Sequence, residues 1–205
     1  MVQLYYITDR QQIPGRSLED CLAQAIAAGV DWVQIREKDL PGRRLYDLAK
    51  TAVGHARASE NSRVMMNDRL DVALAAQAHG VHLGGRSIPA EVVRKLAPRE
   101  FAVGVSCHSL FEAQAAEAAG ATYLLLGPIF STPSKLQYGL PLGLAKLREV
   151  TAQVSIPVFA LGGITPERIS SCRANGAAGI AGIRMFQGCN SIKALVRELR
   201  RMVGE

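Results

Sequence analysis

The feature that most constrains the fold is an alternation of short apolar segments with segments of helical periodicity, repeated eight times along 205 residues. Strands are predicted over residues 4–8, 31–36, 63–66, 80–83, 101–105, 122–126, 157–161 and 178–183. The predicted helices span 17–29, 45–53, 69–78, 89–96, 110–119, 141–150, a segment opening at 165–166, and 191–203.

Strands separated by helices pair in parallel, which leaves two architectures open: a doubly wound sheet and a closed (β/α)₈ barrel. Eight even units in this length favour the α/β (β/α)₈ TIM barrel, with eight parallel strands in one domain, 1–205. Ser17 and Ser109 are typical helix N-caps, and Gly29 is typical of a helix end.

Composition excludes several functional classes. The formal net charge is +6, but the 24 Lys and Arg are spread along the chain, so we expect no nucleic-acid partner and favour small phosphorylated substrates. No apolar stretch is long enough for a membrane span, and the N-terminus does not resemble a secretory signal. Four cysteines without a CxxC pair fit a reducing cytoplasm. The sequence is compatible with a homo-oligomer.

In a barrel of this kind the active site is formed at the carboxyl ends of the strands. Basic residues predominate at those positions: Arg36, Lys38, Arg69, Arg86, Lys135 and Arg184. The acidic residues there are Glu37, Asp39 and Asp68. A basic mouth suits phosphate, because Arg offers a planar fork and Lys a point charge to its oxygens.

Two glycines and one carboxylate each allow two interpretations. Gly162-Gly163 precedes the helix that opens at Thr165, which favours phosphate binding by backbone N–H groups over a simple tight turn. Asp68 is either a metal ligand or a partner of the following helix N-terminus, and the sequence leaves both open. The long loop 131–140 is typical of a lid.

Histidines and a cysteine supply the other candidates. His82 lies inside an apolar strand and is expected to be structural, whereas His108 follows a strand end and remains an acid–base candidate. His55 and His79 are expected on helix surfaces. Cys107 adjoins the mouth, but no pattern of a neighbouring base favours a nucleophile.

Strings at the strand ends are shared with a known family across almost the whole chain. They are Tyr6-Ile7-Thr8-Asp9, Gln34-Ile35-Arg36-Glu37-Lys38, Asn67-Asp68-Arg69, Gly80-Val81-His82-Leu83-Gly84, Gly104-Val105-Ser106 with His108, Gly127-Pro128-Ile129-Phe130, Pro157-Val158 with Gly162-Gly163-Ile164, and Gly176-Ala177 with Gly179-Ile180-Ala181. The chain resembles the thiamine phosphate synthase and thiazole tautomerase family, whose fold is a (β/α)₈ barrel.

The synthase resemblance implies a defined transfer reaction in thiamine biosynthesis. An aminopyrimidine methyl diphosphate loses diphosphate with the help of Mg²⁺, and the resulting pyrimidine methyl cation is attacked by the nitrogen of a thiazole phosphate. Thiamine phosphate is formed. Such a reaction requires neutralisation of the leaving group and close placement of two substrates.

The resemblance also implies roles for residues in each part of the site. The pyrimidine and diphosphate would be held by Gln34, Arg36 and Lys38, and diphosphate with Mg²⁺ by Asn67 and the metal ligand Asp68. The candidate catalytic residues are Ser106 and Lys135, which would contact diphosphate and pyrimidine groups, and His108. The thiazole phosphate would face Thr132, Ser134, Gly162, Gly163, Ile183 and Arg184.

Three positions depart from the synthase pattern. Gly85-Arg86-Ser87 stands where the synthases carry Gln and acidic residues, one of them the second Mg²⁺ ligand, so we expect weaker metal binding. The alternative role for Arg86 is to neutralise diphosphate itself in place of the metal. Arg184 replaces a Ser, and Ser134 replaces a Thr.

The departures keep two alternatives open. Gly-Arg-Ser is similar to the metal-independent tautomerase branch, whose acid–base His follows the strand-six Gly, but Pro128 occupies that place here. His108 is an alternative proton shuttle for such an isomerase. The other alternative is a non-catalytic protein that binds a thiamine-type ligand.

Overall fold

The computed structural model describes residues 2–59, 61–132 and 140–202. Eight parallel strands form a closed barrel in sequence order, with β1 hydrogen-bonded to both β2 and β8. Their bounds are β1 Gln3–Ile7, β2 Trp32–Ile35, β3 Arg63–Asn67, β4 Gly80–Leu83, β5 Ala102–Cys107, β6 Tyr123–Leu126, β7 Val158–Leu161 and β8 Gly179–Gly182. The predicted (β/α)₈ barrel is confirmed.

Helices cover the outside of the barrel. They are α1 Leu18–Ala27, α2 Gly42–Ser59, α3 Leu70–Ala75, α4 Ala90–Leu96, α5 Leu110–Ala118, α6 Gly143–Thr151, α7 Ile169–Ala174, α8 Arg184–Gln187 and α9 Ile192–Met202. Short 3₁₀ turns lie at Arg10–Gln12 and Pro166–Arg168. Among the described helices, none has the length and apolar character needed to cross a membrane.

The sequence predicted the helix caps better than two of the element ends. Ser17 and Ser109 accept hydrogen bonds from the backbone N–H groups of Asp20 and Glu112, at 3.0 and 3.1 Å. The eighth strand is shorter than predicted, because the backbone of Ile183 turns into the helical region and begins α8.

The third helix is also shorter than predicted. It ends at Ala75, and Gln77 adopts a positive φ of 55° that turns the chain towards β4. His79 is therefore not on a helix surface. It is half-buried, and its Nδ1 accepts a hydrogen bond from the Val64 N–H at 3.0 Å, so the expectation for His79 was wrong.

Two apolar cores have different compositions. Mostly aliphatic side chains fill the space between strands and helices, whereas the barrel interior is rich in aromatic rings, those of Tyr5, Trp32, Tyr123 and Phe159. Neighbouring strands make room for these rings with glycine: a Cβ on Gly104 would lie 2.0 Å from the Tyr123 ring. The layer of Tyr5, Trp32, Tyr123 and Phe159 lies beneath the carboxyl ends of the strands and is called the barrel floor.

Candidate functional site

Asp68 stands immediately after β3 in a left-handed backbone conformation, with a φ of 61°. Its carboxylate accepts hydrogen bonds from the Ser87 hydroxyl and, at 3.1 Å, from Nδ2 of Asn67. Ser87 is itself held by the Gly84 N–H at 2.6 Å. The N-cap position of α3 belongs to Arg69, so the carboxylate does not serve as a helix cap and faces the β4–α4 connection instead.

Gln34 joins this carboxylate to the barrel floor. Its side chain is buried, its Nε2 donates to Oδ1 of Asn67 at 3.0 Å, and its Oε1 accepts from the Tyr5 hydroxyl at 3.2 Å. The structure thus brings together Gln34, Asn67 and Asp68, three residues predicted at the ends of two neighbouring strands.

His82 occupies the floor beneath Ser106. Its Nε2 lies 2.8 Å from the Ser106 Oγ, and its Nδ1 lies 3.2 Å from the Tyr123 hydroxyl. Burial, opposed by the Asp68 charge and reinforced by the charge of Arg36, lowers the pKa of His82 to about 3. The imidazole is therefore neutral and has partners for both nitrogens, as expected of a structural histidine.

Glu37 and Asp39, two acidic residues predicted at the mouth, belong to a separate cluster of hydrogen bonds around Arg10. Glu37 is buried and accepts from the Thr8 hydroxyl at 2.6 Å, the Arg10 N–H at 3.1 Å and the Arg10 guanidinium at 3.2 Å. Arg10 also binds Asp39, with 2.5 Å between Nη1 and Oδ1, and these bonds hold the pKa of the Asp39 carboxyl at about 2. Arg10 therefore engages both Glu37 and Asp39, two of the three acidic residues predicted at the mouth.

The same Thr8 hydroxyl fixes the chain at Arg36, since it accepts a hydrogen bond from the Arg36 N–H at 2.9 Å. Lys38 follows on the exposed side of that turn. The cluster around Glu37 therefore positions the basic segment after β2 without supplying charge to the site.

The other basic candidates have different surroundings. Arg69 forms a two-pronged ion pair with Asp71, at 2.8 and 2.5 Å, so its guanidinium is directed at the start of α3, and its role in substrate binding stays a prediction. Arg86 is exposed on the β4–α4 connection. Arg184 lies on α8 rather than at the end of a strand, and its Nε donates to Oε1 of Gln12 at 3.3 Å.

Gly162 and Gly163 form a tight turn after β7, with φ values of 96° and 63°. A Cβ on Gly162 would lie 2.6 Å from the Cβ of Pro128, and one on Gly163 would lie 2.8 Å from the Cβ of Phe130. Arg168 closes the turn, because its guanidinium donates to the Gly163 carbonyl at 2.6 Å. Close packing alone therefore requires both glycines, and phosphate binding remains a prediction.

The remaining candidates lie on β5 and in the β6–α6 connection. His108 is exposed, and its Nδ1 lies 2.5 Å from the Gly127 carbonyl, which can only accept, so that nitrogen carries a proton. Burial raises the pKa of the Cys107 thiol to about 12, which excludes a thiolate nucleophile. Thr132 is half-buried, whereas Ser134, Lys135 and most of the predicted lid lie outside the described residues.

The donor set around Asp68 fits Mg²⁺ as a partial site. Within the described ranges, no three His, Cys, Asp or Glu side chains gather around one point. A carboxylate with a serine hydroxyl beside it offers hard oxygen ligands, and Mg²⁺ commonly binds through one or two carboxylates, with substrate phosphates and waters completing its shell. Asp68 and Ser87 are therefore the residues that would hold the ion.

Sequence reasoning missed the residues that support the site. Tyr5 and Tyr123 were read only as apolar strand positions, although their hydroxyls lie 2.8 Å apart inside the barrel. The signal was available: tyrosine places a polar atom in a layer otherwise filled by apolar side chains, and a buried hydroxyl requires a partner. Thr8 and Ser87 carried no comparable signal.

Comparisons with known proteins identify the family and support the fold. A family model described as "Thiamine monophosphate synthase" matches residues 4–186. The thiamine-phosphate synthase of Clostridium novyi is 42% identical over 87% of this chain and 87% of its own length, and that of Methanoculleus marisnigri is 41% identical over 96% and 93%. A solved structure of thiamine phosphate pyrophosphorylase from Pyrococcus furiosus has a TM-score of 0.89 and 35% identity, covering 98% of this chain and 95% of that one.

Proposed function

The chain belongs to the thiamine monophosphate synthase family, and we propose that it joins an aminopyrimidine methyl diphosphate to a thiazole phosphate, forming thiamine phosphate and releasing diphosphate. The observation that carries this proposal is the contact of Gln34, Asn67 and Asp68 at the mouth of the barrel. Amide, carboxylate and nearby guanidinium groups are the types needed to hold a heterocycle and a diphosphate together.

We assign the pyrimidine diphosphate to the side of the mouth formed by β2, β3 and β5. Gln34 and Ser106 would bind the ring, and Arg36, Lys38 and Asn67 would bind the diphosphate. The cations favour departure of diphosphate, because their charge stabilises the negative charge that accumulates on it in the transition state. Mg²⁺ bound by Asp68, with Ser87 beside it, would supply further charge neutralisation to the leaving group.

We assign the thiazole phosphate to the opposite side of the mouth. The turn at Gly162 and Gly163 would present backbone N–H groups, with Ile183 and Arg184 at the end of β8. Thr132, Ser134 and Lys135 would approach from the β6–α6 connection. Binding both substrates in one mouth makes the attack of the thiazole nitrogen effectively intramolecular.

We place the reaction in the cytoplasm. The free cysteines Cys21, Cys107 and Cys172 are buried thiols, which supports a reducing compartment. The substrates are small anions, so the net positive charge of the chain does not require a macromolecular partner.

The test is formation of thiamine phosphate from the two purified substrates, with Mg²⁺ and with excess EDTA, beside a known synthase as positive control. We expect product with Mg²⁺ and none with EDTA. The proposal fails if neither reaction gives product while the control enzyme works. Conversion of a carboxythiazole phosphate in EDTA would then identify a tautomerase, and ligand binding without turnover would identify a binding protein.

A further inference from the structure

The turn after β7 is held through its carbonyl oxygens. The Gly162 carbonyl accepts a hydrogen bond from the Phe130 N–H at 3.0 Å, and the Gly163 carbonyl accepts one from the Arg168 guanidinium at 2.6 Å. Among the residues that the structure describes, no acceptor meets the N–H of Gly163 or the N–H of Ile164. Each peptide unit of the turn is therefore anchored on its carbonyl side, and its N–H side is left available to a ligand.

The orientation of these two peptide units determines where their N–H groups point. Both peptide bonds are trans, so the carbonyl oxygen and the N–H hydrogen of each unit point in opposite directions. The N–H opposite the Gly162 carbonyl belongs to Gly163, and the N–H opposite the Gly163 carbonyl belongs to Ile164. Both N–H groups are consequently turned away from Phe130 and Arg168, the residues that bind the carbonyls.

The glycines make this orientation depend on the hydrogen bonds. A residue without a Cβ adopts positive and negative φ with similar ease, so no side chain at Gly162 or Gly163 restricts rotation of the adjoining peptide units. The first unit is anchored by a backbone donor, the Phe130 N–H. The second unit is anchored by one side chain, that of Arg168. Loss of this side chain would leave the peptide between Gly163 and Ile164 free to rotate.

A second contact holds the Arg168 guanidinium in place. Its Cζ lies 4.5 Å from the centroid of the Phe130 ring, within the range of a cation–π interaction. A guanidinium is planar, so it stacks on a ring with its face and donates hydrogen bonds within its plane, which a lysine ammonium does not do. The ring belongs to the same residue whose N–H binds Gly162, so Phe130 supports both anchors of the turn.

We propose that Arg168 is a positioning residue: stacked on Phe130, its guanidinium fixes the peptide unit between Gly163 and Ile164 and acts on a bound phosphate only through that unit. The guanidinium binds the carbonyl side of the peptide, whereas the ligand would meet the N–H side. The presence of thiazole phosphate at this turn is taken from the proposed function. The dependence of the peptide orientation on Arg168 does not require that substrate.

A simple electrostatic role for Arg168 predicts different results. An exposed cation near the mouth attracts any anion, lysine replaces it in that role, and added salt weakens it. A positioning role depends on the planar, stacked guanidinium. Lysine should therefore fail to replace it, and only the ligand at this turn should be affected.

The first test compares Arg168→Met and Arg168→Lys in the formation of thiamine phosphate. We expect both to raise the KM for thiazole phosphate about tenfold, the effect of one lost hydrogen bond from a charged donor, with kcat and the KM for the pyrimidine diphosphate unchanged. Arg148→Met, which removes an exposed arginine from the last turn of α6, should change none of the three. A wild-type KM in Arg168→Lys would indicate a charge effect and overturn the proposal. A lower kcat with both KM values unchanged would indicate a general loss of folded enzyme and would contradict it equally.

Phe130→Leu tests the stacking contact. It removes the ring and keeps the backbone N–H, so we expect the KM for thiazole phosphate to rise about 2- to 5-fold, the range of an exposed cation–π pair. Combined with Arg168→Met it should add nothing, because both substitutions break one contact. Phe111→Leu, at an exposed phenylalanine of α5, is the matched control. Multiplicative effects in the double variant would show that the ring acts without Arg168, against the proposal.

The second test follows the N–H groups in ¹H–¹⁵N spectra of the intact protein titrated with inorganic phosphate. In the wild type we expect the Gly163 and Ile164 signals to shift with saturation. In Arg168→Met the same shifts should need about tenfold more phosphate, again the effect of one lost hydrogen bond from a charged donor. The Gly29 signal, in the turn after α1, should not move in either protein. Wild-type signals that do not respond to phosphate, or an unchanged Kd in Arg168→Met, would overturn the positioning role.

The two tests separate this inference from the proposed function. A protein that makes no thiamine phosphate, but whose Gly163 and Ile164 signals respond to phosphate in an Arg168-dependent way, would keep the positioning role and lose the function. A protein that makes thiamine phosphate with a KM for thiazole phosphate independent of Arg168 would keep the function and lose the positioning role.

Discussion

Glu37 and Asp68 are carboxylates just beyond the ends of adjacent strands, yet their surroundings are opposite. Glu37 is 4% exposed and is surrounded by donors from Thr8 and Arg10, one of them a guanidinium. Asp68 sits on a left-handed backbone, and the donors it binds, Ser87 and Asn67, are neutral.

The difference shows how a fold divides similar residues between structure and chemistry. A buried carboxylate that is paired with a cation and saturated by hydrogen bonds has little capacity left for a ligand. A carboxylate held by neutral groups keeps its charge available to a metal ion or to a cationic partner. We therefore expect substitutions around Asp68 to change activity and ligand affinity, and substitution of Glu37 to change stability.

Asp68→Asn should lower the rate of thiamine phosphate formation by about 100- to 1,000-fold, because it removes charge that acts on the leaving group. Stability should change little, since asparagine tolerates the left-handed conformation. Steady-state kinetics and urea unfolding measure the two effects. The control is Asp71→Asn, the surface carboxylate that binds Arg69, which should retain activity. Equal losses in both variants would contradict a special role for Asp68.

Glu37→Ala should reduce the free energy of unfolding by about 3 kcal/mol, because it leaves the buried donors of Thr8 and Arg10 without their acceptor. Urea denaturation measures this loss. Asp39→Ala, which removes the exposed partner of the same arginine, should have a much smaller effect, since solvent screens that pair. If the two variants are equally stable, burial does not distinguish these carboxylates.

Ser87→Asp should tighten Mg²⁺ binding about tenfold, because a second carboxylate would then adjoin Asp68. Calorimetry with inorganic diphosphate present gives the Kd. Ser109→Asp adds the same charge at a helix N-cap that accepts aspartate equally well, and it should leave the metal affinity unchanged. A Kd unaffected by Ser87→Asp would mean that the ion does not bind beside Asp68.

Arg86→Ala should raise the Kd of diphosphate about threefold at fixed Mg²⁺, and added salt should reduce this difference because the side chain is exposed. Arg43→Ala removes an exposed arginine that binds Asp47 on α2, and it is the control for loss of net charge. Unchanged diphosphate affinity in Arg86→Ala would mean that this side chain points away from the site.

The sequence was sufficient to predict the barrel and the convergence of Gln34, Asn67 and Asp68, because parallel strands bring their carboxyl ends to one face whatever their side chains do. The sequence was insufficient to show that the Glu37 carboxylate is buried and paired with a cation whereas the Asp68 carboxylate is bound only by neutral donors. That distinction depends on Arg10, which lies 27 positions before Glu37 and reaches it only because β1 pairs with β2.

Side-chain direction accounts for the other differences. Arg69 and Arg184 were predicted at the mouth from their positions, but one binds Asp71 and the other lies on a short helix beside Gln12. The hydrogen bond between Tyr5 and Tyr123 depends on which strand positions face inward, and a run of apolar residues does not reveal this. Lys135 and Ser134 stay predictions, as they lie outside the described residues.

Closure of the barrel by β1 and β8 has a consequence for biosynthesis. Gln3 pairs with Gly179, so one edge of the first strand has no partner until the last strand leaves the ribosome. At roughly 5–20 residues per second, that interval is about 9–35 seconds. An unpaired strand edge is a template for association with other chains, so the nascent protein spends this time with an aggregation-prone surface. The yield of closed barrels should therefore depend on the rate of translation and on the chaperones that meet that edge.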